Sequence, residues 1–393
     1  MQQFEPSHTM PPLAEALLAQ PLGPEPVWSM LGHLAWHPEC LVSDLSQGGE
    51  RFVIAGVARY GTYLRFSVAD HALAEALVKA TDYPELLTGA WQSAGCLVAP
   101  SQVAVFATRL LESGLIYDRR KPPQRPRPAR TWRDAVQWKV PLWDPTPLLD
   151  FLAPVLRSTS RAGFLWGVWV PLLVLATVLV FGAWGEVSGE ITRLFGLKEP
   201  YALAWIYGLL FLTLALHEFG HAAVCYALGA PVRQIGVMLY MGMPFGYCDV
   251  SAAHLLPRKR DRIAVSLGGL YYQMGLGALA VLVWAAIPSG EPARAIALKL
   301  AIVASTSIVF DLNPFAKLDG YYVLADWLGI PNLRDRSFAY LHARLRREPG
   351  ERLAPGERRL FLGYAILGCL ASAGLLVLGV LWWRRVLTSG VLG

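Results

Sequence analysis

Five stretches of this chain run for about twenty residues with almost no charge: Phe164–Trp184, Tyr201–Leu228, Ile263–Ile287, Ala295–Leu312 and Leu360–Trp383. A helix rises 1.5 Å per residue, so about 20 residues cross a bilayer core about 30 Å thick. A water-soluble helix of that length carries a polar face, so runs without one leave few soluble folds open. The composition agrees, being 54% hydrophobic and only 16% charged, with a mean hydropathy of +0.38. The expectation is a polytopic α-helical membrane protein of about five spans. Ala295–Leu312 is short and runs into Asn313-Pro314, so a broken helix is expected there.

A formal net charge of +6 raises the question of nucleic acid. The cations instead gather in short loops beside the apolar runs. Arg119–Arg161 precede the first run, Arg258-Lys259-Arg260 and Arg262 lie between the second and third, and Arg334–Arg359 lie between the fourth and fifth. All three groups fall on one side, which the positive-inside rule makes cytoplasmic, and nucleic acid is not an expected partner. Arg384 and Arg385 fall on the other side, against that rule. Five dispersed cysteines (Cys40, Cys96, Cys225, Cys248 and Cys369) are poor material for a disulfide framework. Met1–Pro26 has no basic region followed by an apolar core, so no cleavable signal is expected.

Residues 1–118 read as a small soluble α+β domain of winged-helix-like kind. Arg51–Ala55 and Thr62–Phe66 suggest two strands joined near Gly61. Ser67 caps a helix through Leu73 and Leu77, and a second helix runs from about Ser101 to Glu112, stopping at Gly114. Residues 119–147 are expected to be a basic proline-rich linker, because no helix tolerates the prolines of Arg119–Arg130; anionic headgroups suit its charge. Residues 147–162 suit an interfacial segment, and residues 148–393 form the membrane domain. Val237–Tyr247 is apolar but interrupted by glycine and proline. A re-entrant hairpin shielded from lipid is expected there, since non-helical backbone at membrane depth must be covered by protein.

Within the second run, residues 217–221 read His-Glu-Phe-Gly-His. Positions i and i+4 share a helix face, so His217 and His221 can present both imidazoles to one metal ion. Glu218, about 100° further round, stands beside the ion without being a ligand. Two histidines and a carboxylate in an apolar span are costly, and that cost points to function. His217 lies about 24 Å along the helix from Tyr201, just inside the cytoplasmic boundary, so a polar cavity must open inward. A catalytic zinc has three protein ligands and one open position. The candidates for the third are Asp319, Asp311, Cys225, His254 and Asp249. Cys225 continues the histidine row, but that row drifts by about 40° every four residues. Asp319 is favoured, because Pro314 interrupts the helix before it and Gly320 allows close backbone approach. Asp311 is held in reserve.

His217-Glu-Phe-Gly-His221 followed by Asn313-Pro-…-Leu318-Asp-Gly320 resembles the site-2 protease family of intramembrane zinc metallopeptidases, over roughly residues 140–345. Asn313–Leu341 most resembles the bacterial peptide zinc metalloprotease subgroup, whose members often neighbour export or peptide-modification machinery. The resemblance implies a three-helix catalytic core and one Zn2+ per chain, held by His217, His221 and Asp319. It also implies Glu218 as general base and Asn313 as the residue positioning the substrate backbone or oxyanion. One departure concerns Gly268-Gly-Leu-Tyr-Tyr-Gln273, where many members carry Gly-Pro followed shortly by Asn. The small-residue packing role survives, with Gln273 a weak substitute for that Asn as a substrate contact. Tyr63–Asp70 and Leu110–Ile116 are similar to peptide-chaperone modules of ribosomal-peptide modification pathways, which bind a leader peptide as an added strand.

The expected function is hydrolysis of a peptide bond in a membrane-associated or exported peptide or protein. The protein is expected in the cell membrane, with the N-terminal domain and site opening on the cytoplasmic side. The alternative is a non-catalytic membrane adaptor that recruits a peptide to an export or modification complex, although such an adaptor has no use for Glu218. A transporter relaying protons through buried His and Asp leaves both motifs unexplained.

Overall fold

The computed structural model describes residues 14, 17–18, 20–22, 26–47, 50–57, 60, 62–123, 137–159, 165–198, 201–240, 243–330, 332–347 and 353–388. After a 3-10 turn at Pro26–Met30 come β1 (Leu34–Trp36), β2 (Cys40–Gln47), β3 (Glu50–Val57) and β4 (Thr62–Ser67). Then follow α1 (Val68–Lys79), α2 (Tyr83–Ala94), α3 (Pro100–Ser113) and β5 (Ile116–Asp118). Strands β2, β3 and β4 form an antiparallel sheet, and β1 pairs with β5, tying the start of this unit to its end. The Ser67 hydroxyl accepts the Asp70 amide at 3.0 Å, and Gly114 ends α3 at φ 74°. Strand β2 and helix α2 add to the elements expected here. The serines and aspartate of β2 dilute its alternation, while α2 is fixed by its Asp82 cap and its buried Tyr83, Leu86, Leu87 and Ala90.

Residues 119–147 are not a linker throughout. Residues 124–136 lie outside the described residues, but β6 (Gln137–Trp143) joins a second antiparallel sheet, ordered β6-β7-β8, with β7 (Ile235–Tyr240) and β8 (Met243–Cys248). Pro141 can sit in β6 because this is an edge strand, with a register shift between Pro141 and Trp143. The expected hairpin is therefore present, and β8 is the other edge.

Next in the chain are α4 (Thr146–Thr159), a π-turn at Leu165–Trp169, α5 (Val170–Gly182), α6 (Trp184–Phe195) and α7 (Ala202–Ala227), the last running into the β7–β8 hairpin. After a 3-10 turn at Ser251–Leu255 come α8 (Lys259–Ala286), α9 (Pro292–Asp311), α10 (Asp319–Leu328), α11 (Leu333–Arg346) and α12 (Pro355–Thr388). Among the described residues α7, α8, α9 and α12 are long and apolar enough to cross a membrane, which marks a membrane protein. Helices α5 and α6 qualify only as a pair bent by 84°.

The first expected span, Phe164–Trp184, ends at a sharp bend: one helix covers Gly167–Gly182, and the chain then turns by 84° into α6, which carries Glu186, Glu190 and Arg193. The fourth is longer than Ala295–Leu312: α9 runs unbroken for 20 residues from Pro292, and the expected break at Asn313-Pro314 follows it. Its extra turn contains Arg294, which Glu186 of α6 binds at 2.9 Å, while buried Lys299 further along meets Glu190 at 2.8 Å. These charges are paired across helices.

Helix α7 lies against both α8 and α9. A Cβ on Gly220 would stand 2.5 Å from the Gly268 carbonyl oxygen, so α7 and α8 cross backbone to backbone. The N-terminal sheet docks on the same region. Ser43 donates to the Leu255 carbonyl at 2.7 Å, and Tyr63, folded over Gly56, packs with the cluster containing Leu149, Ala222 and Cys225.

Candidate metal centre

His217 and His221 sit one turn apart on α7, 4% and 7% exposed, on the face turned towards α8. A side-chain or backbone oxygen holds each ring by Nδ1. His217 Nδ1 meets Gln273 Oε1 at 2.7 Å, and His221 Nδ1 meets the Val265 carbonyl at 2.8 Å. Each of these oxygens only accepts, so a neutral ring at either position carries its hydrogen on Nδ1 and keeps the Nε2 lone pair; the Gly269 amide also approaches His221 Nδ1, at the longer distance of 3.3 Å.

Asp319 arrives from the other side. Helix α9 ends at Asp311, and the chain then folds back so tightly that a Cβ on Gly320 would stand 2.2 Å from the Leu312 carbonyl oxygen. Helix α10 starts at Asp319 and is held by Asp326, which accepts from Arg262 of α8 at 3.0 Å. The Tyr364 hydroxyl of α12 donates to the Pro314 carbonyl at 2.7 Å and secures the turn itself.

These elements bring His217, His221 and Asp319 together with their ligand atoms within 4.8 Å of one another, the one such group among the described residues. The two Nε2 atoms are 3.0 Å apart, and Asp319 Oδ2 lies 3.1 Å from His217 Nε2 and 3.3 Å from that of His221. Tetrahedral bonds of 2.0–2.1 Å to zinc set ligand atoms about 3.3 Å apart, close to this triangle. Asp319 Oδ2 is buried without a hydrogen-bond partner among the described residues. Three lone pairs thus converge with no donor between them, an arrangement a divalent cation satisfies. Gly269 leaves room for one, since a Cβ there would stand 2.6 Å from both Nε2 atoms. The residues fit a metal with two imidazoles and one carboxylate.

The other expected candidates lie elsewhere. Asp311 Oδ2 is 3.9 Å from His217 Nδ1, on the wrong side of the ring. Cys225 points its sulfur at the Ala230 carbonyl, 3.8 Å away. Asp249 pairs with Arg233 at 3.5 Å, and His254 belongs to the 3-10 turn after the hairpin. Asn313 bridges the break, its Oδ1 accepting the Phe315 amide at 2.9 Å.

Glu218 faces the sheet. A Cβ on Gly246 of β8 would stand 2.8 Å from Glu218 Cγ, and the Cys248 main chain is beside the carboxylate. Gly246, Gly269 and the Val265 carbonyl are parts of the site that the motifs do not announce, and Gln273 contacts a histidine rather than standing ready for substrate. Their signal is spacing: Arg262, Val265, Gly269 and Gln273 recur at helical intervals on one face of α8.

No family model, no curated protein and no solved structure matches this chain.

Proposed function

We propose that this protein is an intramembrane zinc metallopeptidase of site-2 protease type, hydrolysing a peptide bond in a membrane-associated or exported peptide or protein. The observation that carries the reading is the convergence of His217, His221 and Asp319 inside a bundle of apolar helices, with Glu218 next to the first ligand and packed against Gly246 of the edge strand β8. When bound, Zn2+ supplies a Lewis acid that acidifies water to near-neutral pKa and polarises a peptide carbonyl.

The chain's own residues do the rest. His217, His221 and Asp319 would hold the ion. Glu218 accepts the proton of the attacking water and passes it to the leaving nitrogen. Gly246 lets the β8 backbone lie against Glu218, so an extended segment added along that edge is delivered to the carboxylate. Asn313 has its oxygen engaged in its own turn, which leaves its amide NH2 to donate to the substrate carbonyl as negative charge develops. The substrate must be extended there, because a helix hides its carbonyls in hydrogen bonds.

In this reading residues 1–118 are a winged-helix-like peptide-recognition domain. It and the site opening face the cytoplasm, as the distribution of Lys and Arg suggests, and an export or peptide-modification complex is the natural partner. The adaptor reading predicts that Glu218 is dispensable.

The test compares the wild type with Glu218→Gln and Asp319→Ala. Glu218→Gln keeps one zinc per chain and abolishes cleavage, read as peptides that differ between cells expressing the variant and the parent. Asp319→Ala lowers the zinc content of the purified protein. Wild-type turnover by Glu218→Gln would remove Glu218 from the chemistry and leave the adaptor standing.

A further inference from the structure

We propose that Gln273 is the positioning residue that selects which nitrogen of His217 faces the metal; this rests on the metal reading above. Gln273 is fully buried in the middle of α8, at 0% exposure, where an amide without partners costs about 1–3 kcal/mol. Its partners therefore decide how it sits.

One of them removes the ambiguity of the amide. Gln273 Nε2 lies 3.0 Å from the Ala304 carbonyl of α9, which accepts and cannot donate. The amide nitrogen must point to α9, so the amide oxygen points to α7. The Ser307 hydroxyl receives the second N–H, its own hydrogen being directed to the Val303 and Ala304 carbonyls, 3.1 Å away. At the other end Gln273 Oε1 is 2.7 Å from His217 Nδ1 and can only accept. The hydrogen of a neutral His217 is thereby held on Nδ1, and the Nε2 lone pair is aimed at Asp319 and His221. One amide thus links α7, α8 and α9 and transmits the position of α9 to the ligand atom.

The two histidines differ in this respect. A main-chain carbonyl, Val265, orients His221, and that contact is independent of side-chain identity. Among the described residues Gln273 is the one side chain within hydrogen-bond reach of His217 Nδ1, since Asp311 at 3.9 Å is too far to bond. An amide also suits the setting better than a carboxylate. It accepts the imidazole hydrogen without adding a second negative charge beside Asp319 in an apolar span.

The experiment uses full-length protein in detergent micelles, with zinc alone as the probe. It measures zinc affinity by chelator competition, nitrogen-15 histidine spectra of the metal-free protein assigned with His217→Ala, and metal-free thermal stability. Gln273→Leu keeps the bulk and removes the acceptor. It is expected to weaken zinc about 10–100-fold, and to change His217 from one tautomer to a mixture. Gln273→Glu retains an acceptor oxygen and is expected to hold affinity within about threefold of wild type with the Nδ1–H tautomer kept. Unchanged affinity and tautomer in Gln273→Leu overturn the proposal, as does a loss confined to metal-free stability. If Gln273→Leu does not fold, the Gln273→Glu spectrum decides, and loss of the Nδ1–H tautomer there overturns it. A wild type that binds no zinc defeats the metallopeptidase reading, while the metal-free spectra still test the role of Gln273.

Discussion

Helix α12 is the more apolar of two long membrane helices, with mean hydropathy 2.3 against 1.4 for α8, yet 11% of its apolar window is buried against 50% for α8. Lipid tails are as apolar as leucine, so hydrophobicity alone draws no helix to another within the bilayer. Contact goes to small residues that let backbones approach and to polar residues that need partners. Helix α8 buries Gly268, Gly269, Gly275, Gly277 and Gln273, and the site is built on that face. Helix α12 leaves Leu370, Leu376, Val377 and Leu378 exposed, and fixes the site mainly through the Tyr364 bond to the Asn313-Pro314 break. The less apolar helix is the one with the organising role.

The sharpest way to break this contrast is at Gly269. Gly269→Val places carbon where both Nε2 atoms converge, and zinc affinity is expected to fall at least about a hundredfold; metal analysis showing wild-type content would mean that α8 does not line the site. Gly220→Val tests the crossing itself. Its side chain meets the Gly268 backbone, with an expected loss of about 2–3 kcal/mol read by thermal unfolding in detergent, and an unshifted transition would refute so close an approach. Arg262→Met strips Asp326 of its partner and the Leu256 carbonyl of a donor. The expected cost is about 1–2 kcal/mol, with zinc affinity reduced because α10 carries Asp319; metal binding as tight as wild type would show that this clamp does not position the ligand. Leu376→Ala on α12, 70% exposed, should cost less than about 0.5 kcal/mol. A loss several times larger in the same assay would reveal another surface covering that face.

Much of the membrane architecture was legible because it is local. Apolar runs marked α7, α8, α9 and α12, and glycine and proline marked the β7–β8 hairpin. The misreadings share a cause. The expected start of α9 at Ala295 left out Arg294, whose partner Glu186 lies about a hundred residues earlier, beyond the reach of any local pattern. Strand β6 was hidden because its pairing with β7 joins segments far apart in the chain. In the N-terminal region α1 was evident from its Ser67 cap, whereas β2 depends on pairing with β3.

The metal centre divides in the same way. The sequence alone determined that His217 and His221 share a face and that Glu218 is their neighbour, because a helix has a fixed period and three of these residues stand within one turn or so. It also ranked Asp319 above its competitors, through the proline and glycine around it. Only the tertiary structure decided that Asp319 reaches Nε2 while Asp311 lies behind the ring, that Gln273 turns to His217, and that Gly246 brings β8 onto Glu218. Those outcomes depend on which faces of α7, α8, α9 and α10 meet. Close packing between distant segments sets that choice, and no local periodicity encodes it.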